Sequence, residues 1–355
     1  MKSFDLHAKR PLLIAGPCSA ETEQQTVETM VALAKTGLVD VLRAGIWKPR
    51  TNPGSFEGIG VKGLPWLARA KELTGLPLAV EVATAKHVEQ ALDFGVDILW
   101  VGARTTVNPF SVQEIANAAK GSGAKILVKN PVSPDIDLWA GAINRFVKMG
   151  FDERDLGLIH RGFSSFGRGE YRNAPMWHLA IEMRSRFPQI AIICDPSHIT
   201  GKRELLYEVA QKAADLYYDG LMVESHIDPS CALSDAAQQL TPADYQTLAQ
   251  RILWRRKSAD NPEYINALER LRGQIDEIDS ELFALMGRRM KIAEHIGEVK
   301  RDNNVAILQS DRWNSIVDKV VSGYSGLGLS DEFLRRVLDA IHTESINHQN
   351  RVMNK

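Results

Sequence analysis

Short apolar runs alternate with amphipathic stretches over the first two-thirds of the chain. The apolar runs have the length and composition of buried β-strands, and the stretches between them carry apolar residues at helical spacing. The predicted strands cover residues 12–15, 39–44, 78–82, 98–101, 125–128, 156–159, 190–194 and 220–223. Eight strands in regular alternation with helices are typical of a (β/α)8 TIM barrel, with a doubly wound open sheet as the competing architecture.

Side chains suited to chemistry lie at the end of each predicted strand. In strand order they are Cys18, Arg43 with Lys48, Glu81, Arg104, Lys129, Arg161, Asp195 with His198, and Glu224 with Asp235 in the following loop. In a barrel all eight carboxyl ends converge on one mouth, whereas an open sheet brings together only the ends near its switch point. The distribution therefore favours the barrel and a single large polar site.

Five of these strand-end residues are cationic: Arg43, Lys48, Arg104, Lys129 and Arg161. Charges of one sign gathered at one mouth require anions to compensate them. Guanidinium groups match the oxygens of phosphate and carboxylate in particular. The pattern predicts a ligand with more than one anionic group, such as two phosphates and a carboxylate.

A second subset offers donors for a divalent metal ion: Cys18, His198, Glu224 and Asp235. One thiol, one imidazole and two carboxylates make a mixed site, which differs from a closed structural zinc site and suits Mn²⁺, Fe²⁺, Co²⁺ or Zn²⁺. His226 and Cys194 lie near the same strands, and spacing alone does not exclude them. We expect Cys194 to pack within its strand and Asp195 to support the site as a carboxylate.

Several motifs of the barrel segment together resemble a known enzyme family. They are Gly16-Pro-Cys-Ser19, Lys48-Pro-Arg-Thr51, Gly102-Ala-Arg104, Asp195-Pro-Ser-His198, and Glu224 with Ala232-Leu-Ser-Asp235. The segment from residue 1 to about residue 250 resembles 3-deoxy-D-arabino-heptulosonate 7-phosphate (DAHP) synthase, in the short branch shared with 3-deoxy-D-manno-octulosonate 8-phosphate synthase. The octulosonate enzymes typically carry an Asn-Arg motif where this chain has Lys48-Pro-Arg-Thr51, which favours erythrose 4-phosphate over arabinose 5-phosphate as the aldose substrate.

The resemblance implies a role for each matching residue. Phosphoenolpyruvate contacts fall on Arg43, Lys48, Glu81, Ala103, Arg104, Lys129 and Arg161. Erythrose 4-phosphate contacts fall on Lys48, Pro49, Arg50 and Thr51. The metal ligands fall on Cys18, His198, Glu224 and Asp235, and Lys129, His198 and Cys18 are the expected catalytic residues of the barrel.

The pattern changes after residue 254. Residues 255–263 form a polar linker, and apolar residues then recur at helical spacing from residue 264 to about residue 302. A helix of this length needs a partner, so we predict that the domain at 264–355 forms a homodimer. Further helices are predicted at 309–322 and 330–350. Arg289 and Lys300 lie about three turns apart on one helix face, whereas Arg272 is turned away and would reach only a partner's pocket.

This segment resembles the all-helical chorismate mutases. The matching residues are Arg272, Arg289, Lys300, Arg312, Ser345 and Gln349. The resemblance implies that arginines bind the carboxylates of chorismate, that Lys300 and Gln349 flank its ether oxygen, and that Arg272 comes from the partner. Gln309 and Trp313 depart from the usual aspartate and glutamate. An alternative is therefore that the domain mainly binds chorismate or prephenate and regulates the barrel.

Composition gives no sign of a nucleic-acid-binding, membrane or disulfide-rich protein. The net charge is −1 and 25% of residues are charged, which gives no electrostatic sign of nucleic acid or anionic membrane as a partner. Three cysteines are too few for a disulfide framework, and no apolar run reaches the length of a membrane span. We expect a cytoplasmic enzyme without a signal peptide.

Overall fold

A computed structural model describes residues 5–48, 54, 56–165, 169–308 and 310–354, without the side chains of residues 310–312, 314 and 325. The chain divides into two compact units, Met1–Lys257 and Ser258–Lys355. The division falls inside the segment predicted as a linker. Each unit is described by itself below.

The first unit is a closed barrel of eight parallel strands in sequential order. The strands are β1 (Leu12–Gly16), β2 (Val41–Ala44), β3 (Leu78–Val82), β4 (Ile98–Val101), β5 (Lys125–Lys129), β6 (Leu156–His160), β7 (Ala191–Cys194) and β8 (Gly220–Glu224). The barrel closes where β1 pairs with β8 in a register that sets Leu12 beside Gly220 and Gly16 beside Glu224. The predicted barrel is confirmed, and the open sheet is excluded.

Helices follow the strands around the barrel. They are α1 (Glu23–Lys35), α2 (Leu64–Thr74), α3 (Ala85–Asp93), α4 (Ala103–Thr106), α5 (Pro109–Ala119), α6 (Ile136–Lys148), α7 (Trp177–Arg186), α8 (Pro196–Thr200), α9 (Leu206–Asp215) and α10 (Pro242–Arg251). Two of them, α4 and α8, are single turns that begin directly after β4 and β7. The sequence pattern did not predict these turns, and they carry Arg104 and His198.

Apolar residues form two layers because parallel strands bury both of their faces. Alternate strand residues fill the barrel interior, where Ile14, Trp100 and Ile193 belong to one buried cluster closed by Leu6. The other strand residues pack outwards against the helices in a larger cluster that includes Cys194. Cys194 therefore packs in its strand, as predicted.

The seam of the barrel depends on a glycine. A Cβ atom on Gly220 would lie 2.0 Å from the backbone carbonyl oxygen of Leu12, which cannot move without breaking the strand pairing. We expect Gly220→Ala to lower the free energy of unfolding by about 1–3 kcal/mol, seen as a thermal midpoint several degrees lower by calorimetry. The control is Gly141→Ala within α6, where no atom lies within 4 Å of the new Cβ. This control should be neutral or slightly stabilising, and an equal loss in both variants would contradict the argument.

The second unit is all-helical. Its helices are α11 (Pro262–Asp302), α12 (Ser310–Tyr324) and α13 (Asp331–Met353). Asn261 and Ser330 cap α11 and α13 with side-chain oxygens that accept backbone N–H groups of the first turn. α11 has 41 residues and is roughly 60 Å long. Within the part of the chain that the structure describes, no helix is long and apolar enough to cross a membrane.

Candidate functional site

Three potential metal donors come together where β1 meets β8 at the mouth of the barrel. Among the described residues, the ligand atoms of Cys18, Glu224 and Asp235 lie within 4.8 Å of one another. The seam brings them together because Gly16, two residues before Cys18, is paired with Glu224. The Sγ of Cys18 lies 3.5 Å from Oδ2 of Asp235. This grouping matches three of the four donors predicted from sequence.

The fourth predicted donor, His198, lies beside this group on α8. Its Nε2 is 3.7 Å from Oε1 of Glu224, and its Nδ1 is 2.8 Å from Oδ2 of Asp195. Asp195 caps the short helix, since its Oδ1 accepts the backbone N–H of His198 at 3.1 Å. The carboxylate of Asp195 thus fixes the imidazole with Nε2 directed towards Glu224. A histidine oriented by a carboxylate in this way is a common metal ligand.

Buried cations surround the donors. Arg43 is fully buried, donates to Oε1 of Glu224 at 3.2 Å, and also donates to the carbonyl oxygen of Cys18 at 3.1 Å. Lys129 donates to Oδ2 of Asp195 at 2.8 Å. Arg161 donates through Nη1 to Gly162 O and to Oδ1 of Asn173. Among the described residues, Nε of Arg43 is buried without a hydrogen-bond partner, which suits an anionic ligand.

Trp100 forms the floor below two of these cations. The guanidinium of Arg43 lies 4.8 Å from the centre of the indole ring, and Nζ of Lys129 lies 5.9 Å from it. An aromatic face attracts cations and holds their chains in place. Trp100 lies in the apolar cluster of the barrel interior, so the floor of the site and the core of the barrel are continuous.

Burial and charge together set the ionisation of the donors. Burial, followed by the neighbouring Glu224 carboxylate, raises the pKa of the Cys18 thiol to about 12. Burial opposes ionisation of Asp235, yet His198 and Arg172 lower the pKa of that carboxyl to about 2. The carboxylate is therefore charged at neutral pH, while the thiol needs a bound metal cation to become a thiolate ligand.

The other predicted residues take a range of positions. Nζ of Lys48 donates to Sγ of Cys18 at 3.3 Å, and Ala103 and Arg104 begin α4 at the mouth. Glu81 packs against Gly102, where an added Cβ would lie 2.0 Å from its Oε1. Pro49, Arg50 and Thr51 lie outside the described residues. His226, the alternative donor, has its Nε2 3.7 Å from Oε2 of Glu21.

Sequence reasoning missed four polar residues that contact the site: Arg172, Asn173, Gln238 and Gln239. The backbone N–H of Cys18 donates to Oε1 of Gln239 at 2.9 Å, and Gln238 donates to Glu224 at 2.7 Å. These residues follow the ends of β6 and β8 by at least twelve positions. A search limited to charged and thiol groups close behind each strand therefore passes over them.

The helical unit contains a separate cavity of about 330 Å³ between its helices. The lining residues are Arg289, Ile292, Ala293, Ile296, Lys300, Ile307, Trp313, Ile316, His342, Ser345 and Gln349. Arg289 donates to the hydroxyl of Ser345, and Lys300 donates to Ile307 O at 2.6 Å. Oε1 of Gln349 is buried without a hydrogen-bond partner. An apolar wall with two cations and an amide suits a small, ring-shaped anion.

The cavity gathers four of the six residues predicted for the helical domain: Arg289, Lys300, Ser345 and Gln349. Arg272 is exposed and does not line the cavity, consistent with its predicted orientation away from it. The side chain of Arg312 and all of Gln309 lie outside the described residues. Trp313 stacks on His342 with ring centres 4.0 Å apart, so an aromatic pair forms part of the wall.

Comparison with protein families assigns both segments. Residues 7–259 match the model of the DAHP synthetase I family, and residues 271–350 match that of chorismate mutase type II. The first match covers more than half of the chain. The two matched segments correspond to the barrel and to the helical unit.

Individual relatives match the barrel segment. A phospho-2-dehydro-3-deoxyheptonate aldolase of Thermotoga maritima is 29% identical over 248 residues, which is 70% of each chain. A 2-dehydro-3-deoxyphosphooctonate aldolase of Desulfotalea psychrophila is 30% identical over 269 residues, 68% of this chain and 88% of the relative. Both kinds of sugar-phosphate enzyme are thus similar to this chain at comparable identity.

A solved structure shares the fold. The crystal structure of the phospho-2-dehydro-3-deoxyheptonate aldolase (DAHP synthase) from Thermotoga maritima superposes with a TM-score of 0.60 at 28% identity and covers 67% of each chain. The fold, the grouping at the barrel mouth and the two family matches agree with the resemblances drawn from the motifs. The chain therefore belongs to the DAHP synthetase I family, and its barrel is followed by a C-terminal chorismate mutase type II domain.

Proposed function

We propose that the barrel condenses phosphoenolpyruvate with erythrose 4-phosphate and water in a metal-dependent reaction, giving DAHP and inorganic phosphate. One observation carries the proposal. Cys18, Glu224 and Asp235 form a compact donor group beside buried cations at the mouth of the barrel. A metal-assisted condensation of two phosphorylated substrates requires side chains that ligate a metal cation and cationic side chains that bind anions, and this mouth contains both.

The donor set fits a divalent cation of the first transition row. Cys18, Glu224, Asp235 and the neighbouring His198 supply a sulfur, carboxylate oxygens and an imidazole nitrogen, which suits Mn²⁺, Fe²⁺, Co²⁺ or Zn²⁺. The Cys18 thiol lies 3.5 Å from Oδ2 of Asp235 and 3.3 Å from Nζ of Lys48, and a bound metal cation would favour its thiolate form. When bound, the cation supplies Lewis-acid polarisation of the aldehyde oxygen.

The residues of the barrel account for binding and orientation. Arg43, Lys129 and Arg161 are buried cations that would hold the phosphate and carboxylate of phosphoenolpyruvate, with the enol carbon facing the aldehyde. As that carbon attacks, water adds to the central carbon of phosphoenolpyruvate and phosphate leaves. Lys129, bonded to Asp195, is placed to stabilise the developing negative charge or to carry a proton.

The proposal also names the aldose substrate of the barrel. The Lys48-Pro-Arg-Thr51 motif supports erythrose 4-phosphate. The similarity to octonate aldolases favours arabinose 5-phosphate as the second candidate, since those relatives match at 27–30% identity. The two candidates differ by one carbon unit, and the proposal assigns the choice between them to the residues of this motif.

One assay series tests the choice of aldose substrate. Purified protein is supplied with phosphoenolpyruvate and Mn²⁺, with either erythrose 4-phosphate or arabinose 5-phosphate, and phosphate release is followed. We expect kcat/KM to be at least tenfold higher with erythrose 4-phosphate, because one mismatched carbon unit costs about 1–3 kcal/mol. A preference for arabinose 5-phosphate would contradict the assignment.

We propose in addition that the helical domain rearranges chorismate to prephenate and regulates the barrel through the same cavity. Arg289 and Lys300 would bind the carboxylates and the ether oxygen, and the unpartnered Gln349 would face the ether oxygen. The reaction needs orientation and electrostatic stabilisation only. Adding prephenate to the synthase assay is expected to change its rate. An unchanged rate at saturating prephenate would remove the regulatory role.

We further propose that the helical domain works as a homodimer through α11. Between residues 271 and 285 this helix exposes a row of apolar side chains, each at least 44% exposed: Leu271, Ile275, Ile278, Leu282 and Leu285. A single copy leaves this row in water, whereas a second copy of the helix would cover it. Arg272, which does not line its own cavity, would then reach the cavity of the partner.

A further inference from the structure

The segment Arg172-Asn173, in the loop between β6 and α7, is attached to the helix that carries His198. The N–H groups of Arg172 and Asn173 donate to the carbonyl oxygens of Thr200 and Ile199 at 3.3 and 3.0 Å. A Cβ on Gly201 would lie 2.7 Å from Cβ of Arg172, so the two segments pack closely. These contacts hold both side chains over the barrel mouth.

Arg172 connects two of the carboxylates in the donor group. Its Nη1 donates to Oδ1 of Asp235 at 3.0 Å and to Oε1 of Gln238 at 2.9 Å. The amide of Gln238, which is almost fully buried, donates in turn to Oε2 of Glu224 at 2.7 Å. A guanidinium can only donate, so the amide must turn its oxygen to Arg172 and its N–H to Glu224.

The network holds one oxygen of each carboxylate and leaves the other directed at the donor group. Asp235 keeps Oδ2, which lies 3.5 Å from Sγ of Cys18. Glu224 keeps Oε1 on the side of the donor group, where it accepts from Nη1 of Arg43 at 3.2 Å and lies 3.7 Å from Nε2 of His198. Asp235 also has φ of 47°, a left-handed backbone that is uncommon for a residue other than glycine.

The neighbouring Asn173 extends the same network to the anion-binding side of the site. Its Nδ2 donates to the carbonyl oxygen of His198 at 2.6 Å, and its Oδ1 accepts from Nη1 of Arg161 at 2.8 Å. The dipeptide therefore contacts a carboxylate donor, the backbone of the imidazole donor and a buried cation. A substitution in this dipeptide would therefore affect both the metal donors and the anion-binding residues.

We infer that Arg172 and Gln238 are positioning residues that orient Asp235 and Glu224 towards a divalent cation. This inference rests on the metal site proposed above. Neither residue needs to touch the cation, because each acts through the outer oxygen of a carboxylate. Residues that hydrogen-bond a metal ligand in this manner typically contribute 10- to 100-fold to metal affinity.

The test is a titration of metal-free full-length protein with Co²⁺, followed by absorbance. Wild type is expected to show a thiolate-to-Co²⁺ charge-transfer band together with ligand-field bands. In Arg172→Gln and in Gln238→Met, a near-isosteric change that removes both hydrogen bonds, we expect the Kd for Co²⁺ to rise 10- to 100-fold. At saturation the thiolate band should remain while the ligand-field bands shift.

Arg203→Gln is the matched control. Arg203 donates to the carbonyl oxygens of Gln239 and Ala236 in the same loop and contacts no carboxylate of the donor group. A Kd for Co²⁺ in this control close to that of wild type supports the orienting role. An equal loss of affinity in Arg203→Gln would overturn it, because the cause would then be loop stability.

The outcomes separate the inference from the function on which it rests. If wild type binds no Co²⁺ through a thiolate, the proposed metal site fails. If wild type binds and both variants bind equally well with unchanged spectra, only the inference fails. A raised KM for the aldose phosphate with an unchanged Co²⁺ Kd would also overturn it, since Arg172 would then act on substrate. Should one variant not fold, the other decides by the same criteria.

Discussion

Removal of divalent cations is expected to lower the synthase rate about a thousandfold while the rearrangement of chorismate continues unchanged. The donors at the barrel mouth point to a Lewis acid, which stabilises a transition state by several kcal/mol, and about 4 kcal/mol corresponds to this factor. The described residues lining the helical cavity include no thiol and no carboxylate, so the mutase reaction should not respond. Both rates are measured on one chelator-treated preparation.

Recovery on metal addition and a pair of cysteine variants complete this test. Mn²⁺, Fe²⁺, Co²⁺ and Zn²⁺ are added back separately, and the metal that restores the highest rate identifies the best cofactor. In Cys18→Ser, metal addition is expected not to restore synthase activity. In Cys231→Ser it should restore activity, because Cys231 is an exposed thiol in the loop after β8 that hydrogen-bonds to Asp228. Full activity in metal-depleted protein would rule out the metal-dependent reaction.

Replacement of Arg289 by alanine is expected to reduce kcat/KM for chorismate about 10²- to 10³-fold and to leave the synthase rate of the barrel unchanged. Arg289 lines the helical cavity and donates to Ser345, so its guanidinium is held ready for a carboxylate or a developing negative charge. Removing one such preorganised donor typically costs this factor. Arg289→Lys should recover only part of the rate, since an ammonium group lacks the planar fork.

The adjacent Arg288 provides the control for this second prediction. Arg288 is exposed and does not line the cavity, so Arg288→Ala should keep the mutase rate of wild type. The measurement is loss of chorismate in both variants, with circular dichroism to confirm helical content. Full mutase activity in Arg289→Ala would show that the cavity is not the site of the rearrangement. An equal loss in Arg288→Ala would implicate the helix rather than the guanidinium.

The barrel could be predicted because its signal is repeated eight times along the chain. Each apolar run fixes one strand, and closure brings the residues behind the runs to one mouth regardless of their separation in sequence. Cys18 and Glu224, more than two hundred positions apart, could therefore be assigned to one group. In the helical unit, Arg289 and Lys300 are three turns apart, so the helical repeat sets both on one face, and both line the cavity.

Hydrogen-bond partners could not be predicted in this way. Strand position tells which side chains reach the mouth, but it does not tell which carboxylate oxygen faces inwards. That choice depends on Arg172, which comes from the loop after β6, and on Gln238, which comes from a single 3-10 turn after β8, and neither segment has a periodic pattern. The stacking of Trp313 on His342 likewise depends on the packing of α12 against α13. The sequence showed only that position 313 carries a tryptophan in place of the usual glutamate.

The pairing of β1 with β8 has a consequence for biosynthesis. Of the four proposed cation donors, Cys18 follows the first strand, His198 lies on α8 after the seventh, and Glu224 and Asp235 belong to the last strand and its loop. The complete set therefore exists only after residue 235 has left the ribosome and the ring has closed. A cation at this place would cross-link the first and the last strands of the barrel. Because it binds the closed ring and not the open one, it would stabilise closure by mass action. Metal supply during synthesis would then govern the yield of folded protein as well as its turnover.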